Sequence, residues 1–420
     1  MGRGRRLDLA LGEAFQPMED RDRRQLQELA TGTLRYRGRI DHLLGRHLSR
    51  GIESLPPAVL DVLRLGAYQL LRMDGVPAYA AVSQAVEQTR EAGGEGLARM
   101  ANAVLRKVAA DGEDPSLFPP MAEEPAGFLS TWGSHPRWLV ERWLSRWSPE
   151  RVRGIVEANN MVPPVVLQPW GITAAEAGDR LTASGISWEP VDGGPGLRLG
   201  PGTDPGEALA AAHALVQDPA AALVVRYAEP EPGSRVADLC AAPGGKALAL
   251  LAGSGYVLAS DPVPARLRLL QENARRLRVD PGRLGVVAAR AEQPVLREAD
   301  LVLVDVPCSG TGTLRRHPDA RWRLRPEDIP ALTLVQDRIL EGAAGVVPIG
   351  GVLVYSTCTL EPEENEERVR AFLLRHPGFQ VEPPGDPELA GVLDGEGFLR
   401  ILPRNDGFDG AFAARMKRSR

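Results

Sequence analysis

Short apolar segments, turns and helical segments alternate through the second half of the chain, from about residue 216 onward. The segments that resemble strands cover residues 235–239, 256–260, 284–289, 300–304 and 351–355. Continuously apolar strands separated by helices are typical of a parallel sheet covered by helices on both faces. Such sheets bind their ligands beyond the carboxyl ends of the strands. The pattern therefore predicts an α/β domain over residues 216–420, with its functional site at the edge where the strands end.

The residues that follow these strands are polar and glycine-rich, and they include every cysteine of the chain. They are Cys240-Ala241-Ala242-Pro243-Gly244-Gly245-Lys246 after the first strand, Asp261 after the second, Asp305-Val306-Pro307-Cys308 after the fourth and Ser356-Thr357-Cys358-Thr359 after the fifth. Random placement would rarely bring all 3 cysteines to one edge of a sheet. The sequence therefore predicts that cysteine chemistry takes place at this edge.

The glycine-rich turn at residues 240–246 is a candidate cofactor site. It is not a Walker A loop, because Cys240 stands where that motif needs its first glycine and Ala247 follows Lys246. The G-x-G-x-x-G fingerprint of dinucleotide-binding folds is absent as well. An acid at the end of the next strand, here Asp261, commonly binds a ribose 2′-hydroxyl. S-adenosylmethionine carries a ribose and no phosphate, so it fits this compact turn; a purely structural turn is the alternative.

The first 120 residues show apolar residues at the spacing of amphipathic helices. The predicted apolar stripes are Leu60, Leu63, Ala67 and Leu70; Val82, Val86 and Thr89; and Leu97, Met100, Ala101, Val104, Leu105 and Val108. A proline-rich linker follows at residues 111–125, and one clear helix at 138–147 is followed by short extended pieces. The predicted domains are therefore a helical domain over 1–120, a linker with a small α+β connector over 121–215 and the α/β domain over 216–420.

Composition excludes several classes of protein. The chain has 420 residues, 43% hydrophobic and 25% charged, which is typical of a folded protein with more than one domain. Apolar runs stay well below the roughly 18 residues that a membrane helix needs. Three cysteines argue against a disulfide framework or a structural zinc site and favour a reducing cytoplasm. We therefore expect a cytoplasmic protein without a metal or a membrane partner.

The motifs at the strand ends, in this order and spacing, resemble the RNA cytosine-5 methyltransferases. The matching segments are residues 240–246, 305–312 and 356–359, extended by Pro362-Glu363-Glu364-Asn365, Arg315-Arg316-His317-Pro318-Asp319 and Asp409-Gly410-Ala411-Phe412. Residues 76–87 and 102–106 resemble a helical domain of the NusB type. A NusB-like domain joined to this methyltransferase is similar to the arrangement of the ribosomal small-subunit methyltransferase B family, of the RsmB/Sun type.

The resemblance implies a fold and a reaction. The fold is multidomain, with an all-α NusB-like RNA-binding domain, an α+β connector and a Rossmann-like class I S-adenosylmethionine-dependent methyltransferase domain. The reaction is methylation of C5 of one cytosine in 16S ribosomal RNA, at the cytosine 967 site, by a monomer. The substrate is either naked 16S rRNA or a 30S assembly intermediate.

The resemblance also assigns roles to the residues at the strand ends. Cytosine C5 is a poor nucleophile until a thiolate adds to C6, so the reaction requires covalent catalysis. Cys358 is the implied nucleophile, and Cys308 assists loss of the C5 proton and release of the product. Asp305 faces N3 of the base and Lys246 orients the site. The implied cofactor contacts are the turn from Cys240 to Lys246, Asp261 at the ribose and Asp305 near the methionine end.

Several points stay open at this stage. A helix start near Pro362 would lower the pKa of Cys358, whereas Glu361 and its acidic neighbours would raise it. Cys240 is expected to pack within the turn. The family's acid that contacts adenine has no equivalent directly after the third strand, where Glu292 or the backbone alone could serve. A basic stretch with one aromatic is either an RNA-binding segment or a solvated face with ion pairs; it comprises Arg315, Arg316, His317, Arg321, Trp322, Arg323 and Arg325.

Two other functions compete with the main hypothesis. One is an RNA-binding adaptor that has lost catalysis, against which the intact Cys308, Cys358, Asp305 and Lys246 argue. The other is a cytosine-5 methyltransferase acting on transfer RNA or DNA. A DNA enzyme would use Cys308 of the Pro-Cys segment as nucleophile, and the Ser-Thr-Cys-Thr segment therefore favours RNA.

Overall fold

The computed structural model describes residues 6–16 and 18–420, which form two compact units. The first unit contains the chain up to Val162 together with Leu314–Leu324, and the second contains Pro163–Thr313 and Arg325–Arg420. These limits differ from the three ranges expected from the sequence, because helices after residue 120 and one later segment pack with the N-terminal helices. Over the described ranges, every helix is too short or too polar to cross a lipid bilayer.

The first unit is helical, as the apolar stripes predict. Its helices are α1 (Leu7–Ala14), α2 (Asp20–Arg35), α3 (Arg37–Gly45), α4 (Pro57–Arg72), α5 (Ala78–Gly93), α6 (Glu95–Asp111), α7 (Pro125–Thr131), α8 (Arg137–Leu144), α9 (Pro149–Asn160) and α15 (Ala320–Arg323). On α6, the predicted stripe residues Ala101, Val104 and Leu105 are buried. Proline occupies the first turn of α4, where its missing N–H costs no helical hydrogen bond.

The buried face of α5 differs from the prediction. Ala81, Ala85 and Thr89 are buried, whereas Val82 and Val86 are only half-buried. The cause is close packing between helices: a Cβ at Gly66 of α4 would lie 3.0 Å from Ala85 Cβ. Only a face of small residues allows that approach, and the bulkier valines point away from the core.

Arg321 is one of the largest fully buried side chains of the first unit. Its guanidinium donates to the carbonyl oxygens of Ser134 at 2.9 Å and Asn159 at 3.0 Å, and to Asn160 Oδ1 at 2.8 Å. It also donates to the carbonyls of Arg35 and Leu314. Burial and the neighbouring Arg35 lower the pKa of Arg321 to about 9, which leaves it protonated at neutral pH.

The basic stretch at 315–325 therefore has a role that the sequence did not indicate. Arg315 and Arg321 are 1% and 0% exposed, so the prediction that they contact RNA or form a solvated face is wrong. Trp322 is held as well, because its Nε1 donates to the carbonyl of Leu34 at 2.7 Å. These side chains fix residues 314–324 within the helical unit.

The second unit begins with a small antiparallel sheet, as the predicted α+β connector requires. Its strands are β1 (Val166–Pro169), β2 (Trp188–Pro190), β3 (Leu197–Leu199) and β4 (Ala214–Val216), in the order β2-β3-β1-β4. Helices α10 (Ala174–Ala183) and α11 (Pro205–Ala212) belong to this region. Apolar residues of β1 and β3, including Leu167 and Leu197, form its small core with Leu181 of α10.

The larger sheet holds the predicted strands in nearly the predicted positions. The elements of this part are α12 (Pro219–Ala228), β5 (Arg235–Asp238), α13 (Gly245–Gly253), β6 (Tyr256–Ser260), α14 (Pro264–Arg276), β7 (Leu284–Val287), β8 (Leu301–Asp305), α16 (Asp328–Ala344), β9 (Val352–Thr357), α17 (Glu366–Arg375), β10 (Phe379–Val381), β11 (Leu399–Ile401) and β12 (Ala411–Arg418). Strands β7, β6, β5, β8 and β9 are parallel neighbours. The α/β prediction is confirmed for this part of the chain.

The last strand is a departure from a fully parallel sheet. β12 runs antiparallel to β9 and also pairs with β10 and β11, which gives the order β10-β12-β9-β8-β5-β6-β7. Its residues Ala413, Ala414 and Met416 are fully buried, because apolar clusters cover both faces of the sheet. The chain end is therefore part of the core of the second unit.

Replacing Arg321 with alanine should destabilise the helical unit by about 3 kcal/mol, because several buried carbonyl oxygens lose their donor. Urea denaturation followed by tryptophan fluorescence measures this change, since most of the tryptophans lie in this unit. The control is Arg151→Ala on the exposed side of α9, which should stay within about 0.5 kcal/mol of the wild type. Equal stability of the two variants would contradict the structural role of Arg321.

Candidate active site

Four parallel strands end side by side at one edge of the larger sheet, which we call the carboxyl edge. β6, β5, β8 and β9 are consecutive neighbours in the sheet. The segments expected from the sequence, at 240–246, 261, 305–308 and 356–359, lie at the carboxyl ends of these strands or just beyond them. Asp305 pairs with Ser356 in the register of β8 and β9, so the two cysteine-bearing segments start from opposite each other.

Asp305 connects the cofactor turn to the cysteine segments. Its Oδ2 lies 2.8 Å from Lys246 Nζ, and its Oδ1 accepts a hydrogen bond of 2.8 Å from Ser356 Oγ. Burial would lower the pKa of Lys246, but the charge and hydrogen bond of Asp305 outweigh it and raise that pKa. Lys246 is therefore a cation at neutral pH, beside the site as the sequence analysis expected.

Cys308 and Cys358 face each other with 3.5 Å between their sulfur atoms, and both are half-buried. The hydrogen bond from the Cys308 thiol lowers the pKa of Cys358, against burial and the charge of Asp305, and Lys246 acts in the same lowering direction. The same hydrogen bond and burial raise the pKa of Cys308 well above its usual value. Cys358 is therefore the more easily ionised thiol of the pair, and Cys308 is the one that keeps its proton more firmly.

Glu364 holds the segment that carries Cys308. Its carboxylate accepts from the Ser309 backbone N–H at 2.9 Å, from Gln336 Nε2 at 2.9 Å and from Thr359 Oγ1 at 3.1 Å, and the Ser309 hydroxyl also donates to it. Burial raises the pKa of Glu364, and these donors oppose the rise. Because Glu364 is fully buried and joins both cysteine segments, it fixes their separation.

Residues beyond the cysteines are packed too closely for larger side chains. The Gly312 N–H donates to the Cys358 carbonyl at 2.9 Å, and Gly410 N–H donates to the Gly312 carbonyl at 2.8 Å. A Cβ at Gly312 would lie 2.7 Å from the Cys358 carbonyl oxygen. Thr311 Oγ1, which donates to Glu361 at 3.1 Å, further ties the two segments together. The Asp-Gly-Ala-Phe segment at the start of β12 is thus connected to the Cys358 segment through the backbone of Gly312.

The acids expected to perturb Cys358 are used within this network. Glu361 and Glu364 are fully buried and accept hydrogen bonds from threonine and serine hydroxyls. Residues Pro362–Glu364 form a single 3-10 turn, and the following helix α17 starts only at Glu366. The Cys308 thiol, whose approach no sequence pattern showed, is instead the largest influence on Cys358.

The turn at 240–246 is tight. The Ala241 N–H donates to the Ser260 carbonyl at 2.9 Å, and Gly244 has a φ of 110°, a conformation that favours glycine. A Cβ at Gly244 would also lie 2.7 Å from Leu270 Cγ, so the position excludes larger residues. Burial raises the pKa of Cys240 well above its usual value, which suits the packing role expected for it.

Asp261 reaches the same edge from the end of β6. Its Oδ1 accepts from the Val263 N–H at 2.9 Å, and its Oδ2 lies 3.2 Å from Arg266 Nη1. Arg266 also donates to the Ala242 carbonyl at 2.7 Å, so it connects Asp261 to the turn. Arg266 therefore positions Asp261 against the turn.

Two polar residues of this edge have no role assigned to them from the sequence. Asp238, which ends β5, is buried, and burial together with the charge of Asp305 raises its pKa to about 7. Gln217 is 7% exposed, and within the described chain its Oε1 has no hydrogen-bond partner. Its side chain lies next to the position that a Cβ of Gly245 would occupy. A buried acceptor beside the turn fits a ligand with a donor group, such as the ammonium of a methionine moiety.

Over residues 6–16 and 18–420, His, Cys, Asp and Glu side chains come together in no group of three or more with metal-binding geometry.

Family models match three parts of the chain. The model described as 16S rRNA methyltransferase RsmB/F matches residues 225–417, and the NusB family matches residues 2–110. A ferredoxin-like domain of the RsmF/B-like methyltransferases matches residues 135–202. The NusB-like character of the helical domain and the α+β character of the connector are thereby confirmed.

Curated relatives match over nearly the whole chain. The probable ribosomal RNA small subunit methyltransferase B of Bacillus subtilis is 33% identical, covering 96% of this chain and 92% of its own. The ribosomal RNA small subunit methyltransferase B of Klebsiella pneumoniae is 34% identical, covering 94% and 93%. The crystal structure of PH0851 aligns with a TM-score of 0.76 at 25% identity, over 97% of this chain and 93% of that one.

Alkylation with iodoacetamide near neutral pH should label Cys358 roughly 10-fold faster than Cys308 or Cys240, because only Cys358 has a lowered pKa. Peptide mass spectrometry of a time course measures the three rates. Cys308→Ala should slow the labelling of Cys358, since it removes the hydrogen bond to the thiolate. Cys240→Ala is the matched control and should leave that rate unchanged; preferential labelling of Cys308 would contradict the assignment.

Proposed function

Because the chain belongs to the 16S rRNA methyltransferase RsmB/F family, which uses S-adenosylmethionine, we propose that it methylates C5 of one cytosine through a covalent bond from Cys358. The observation that carries this proposal is the pair of thiols 3.5 Å apart at the carboxyl edge, with opposite pKa shifts. Covalent cytosine-C5 chemistry requires a nucleophile and a separate group that exchanges a proton, and two adjacent thiols of unequal acidity can supply both.

Cys358 is the proposed nucleophile. Its thiolate would add to C6 of the cytosine, and the electron pair of the C5–C6 double bond would shift to C5. C5 could then attack the methyl group of bound S-adenosylmethionine, and the sulfonium sulfur would leave with the electrons of the S–CH3 bond as a neutral thioether. Asp305 is proposed to lie at N3 of the ring, where a hydrogen bond or a proton would stabilise the charge that develops, and Lys246 is proposed to orient the site. The 2.8 Å contact between Lys246 and Asp305 supports this placement, because it holds both groups at the end of β8.

Cys308 is proposed to complete the reaction. After methyl transfer, C5 carries both a proton and the methyl group, and loss of that proton expels the Cys358 sulfur from C6. A group at the Cys308 position can move this proton between C5 and solvent, directly or through a water. Glu364 is proposed to keep Cys308 at its distance from Cys358, through its contacts with Ser309.

The cofactor is proposed to bind along the turn from Cys240 to Lys246, and it supplies an electrophilic methyl group. Asp261 would accept hydrogen bonds from the ribose hydroxyls, which agrees with its place at the end of the second strand. Asp305 would lie near the methionine end. Gln217 would accept from the methionine ammonium, and this contact would satisfy its buried Oε1.

The proposed substrate is 16S rRNA, naked or in a 30S assembly intermediate, with cytosine 967 as the methylated nucleotide and the cytoplasm as the compartment. The target base must leave its stack, since a helical neighbour covers C6. The NusB-like domain is proposed to bind RNA, and the enzyme to act as a monomer. The intact thiol pair argues against a non-catalytic adaptor. Methyl transfer to transfer RNA is the other alternative, and a methyl-transfer assay with transfer RNA in place of 16S rRNA tests it.

Variants of the two cysteines should give opposite results with S-adenosylmethionine and unmodified 16S rRNA. Cys308→Ala should accumulate a denaturation-resistant RNA–protein adduct, because the bond to C6 forms but does not break. Cys358→Ala should form no adduct and lose at least about 1,000-fold in methyl transfer, since the nucleophile is absent. Gel electrophoresis of labelled RNA and tritium transfer measure both quantities.

Arg151→Ala, at an exposed position of α9, serves as the control for these variants and should keep most of the activity. An adduct in Cys358→Ala but not in Cys308→Ala would reverse the two roles. Full activity of both variants would exclude covalent catalysis by either cysteine.

A further inference from the structure

A groove runs along the surface of the first unit between helices α5 and α6. It has a volume of about 630 Å³, and both helices contribute to its walls. The side chains that line it include Tyr79, Val82 and Val86 of α5 and Arg99, Asn102 and Arg106 of α6. None of them belongs to the active site described above.

The α5 wall of the groove contains Val82 and Val86, two residues of the apolar stripe predicted for this helix. Val82 and Val86 are half-buried and face the groove, because the core contact of α5 is made by alanines. Tyr79, one turn before Val82, is 79% exposed. An aromatic ring with so much of its surface in water, beside further apolar side chains, is available to stack on a flat partner.

The α6 wall is basic. Arg99 and Arg106 are exposed, and within the described parts of the chain neither makes an ion pair. Arg90, which lines the same groove, is different: it forms ion pairs with Glu87 and Glu95. The positive charge of the groove is thus concentrated where no carboxylate neutralises it.

The spacing of the two free arginines suits a repeating anion. Seven residues separate Arg99 from Arg106, which corresponds to two turns and about 10 Å along one face of the helix. Two phosphates of a single strand can therefore be held at once, while Asn102 between them offers both a donor and an acceptor. Apolar stacking surface combined with unpaired cations is the chemistry of single-stranded nucleic acid sites.

We propose that the α5–α6 groove binds a single-stranded segment of the RNA substrate, with a base stacked on Tyr79 and backbone phosphates at Arg99 and Arg106. The identity of the strand as RNA rests on the proposed function. The groove contacts the strand through its backbone and the face of a base, so it binds with little sequence preference.

Binding of a labelled single-stranded RNA of about 12 nucleotides to the full chain, followed by fluorescence anisotropy over a salt series, tests the proposal. Tyr79→Ala and the double variant Arg99→Gln/Arg106→Gln should each weaken binding about 10-fold. The double variant should also reduce the slope of log affinity against log salt by about 1.4, because two phosphate contacts are lost.

The matched control is Arg21→Gln/Arg24→Gln on α2, which removes the same charge from exposed positions outside the groove. It should leave affinity and salt slope within about 2-fold of the wild type. Unchanged thermal midpoints show that the variants fold, as exposed positions allow. Equal losses in the control and groove variants, or no loss in the groove variants, would overturn the proposal and leave an acidic protein segment as the occupant.

Methyl transfer measured on the same preparations separates this proposal from the proposed function. In one outcome, the wild type binds RNA but transfers no methyl group, and the groove variants lose RNA binding. This outcome would support the groove as an RNA site and contradict the proposed reaction. Normal methyl transfer by the wild type with undiminished RNA binding by the groove variants would contradict the groove alone.

Discussion

The register between β8 and β9 is the constraint on which the active site depends. It places Asp305 beside Ser356, and their side chains share a hydrogen bond of 2.8 Å. Cys308 and Cys358 follow these residues by three and two positions, so the same register brings their sulfur atoms within 3.5 Å. A slip of one residue would turn every side chain of one strand to the opposite face and separate the two thiols.

The two cysteines have the same side chain, but their pKa values shift in opposite directions in the folded chain. Cys358 lies where a thiol donates to it and the cation of Lys246 acts on it, whereas Cys308 faces the Cys358 sulfur and the buried Glu364 carboxylate. The hydrogen bonds of Glu364 to Ser309 hold this arrangement in place. The inequality thus comes from neighbours contributed by separate segments, and the strand pairing brings those segments together.

The sequence predicted the parts of the fold that depend on local pattern. Continuous apolar runs located the parallel strands to within one or two residues, and the strand-end rule gathered Lys246, Asp305, Cys308 and Cys358 at one edge. The pKa balance of Cys358 could not be predicted, because it depends on a contact between residues 50 positions apart.

Other features also depend on tertiary packing rather than on local pattern. The basic stretch around Arg321 looks like a solvated or RNA-binding face, yet its guanidinium is buried by carbonyls from α2 and the α7–α9 region. The face of α5 that enters the core was misjudged because two helices approach closely over alanine. Gln217 has no sequence signal at all, since its meaning comes only from its burial beside the turn.

Covalent methylation of cytosine C5 can be tested by transfer of a labelled methyl group from S-adenosylmethionine to unmodified 16S rRNA. Nuclease digestion and mass spectrometry then map the labelled atom. We expect the labelled methyl group on C5 of a single cytosine. Label on an exocyclic nitrogen, a ribose oxygen or another base would contradict it, because none of those positions requires a thiolate at C6.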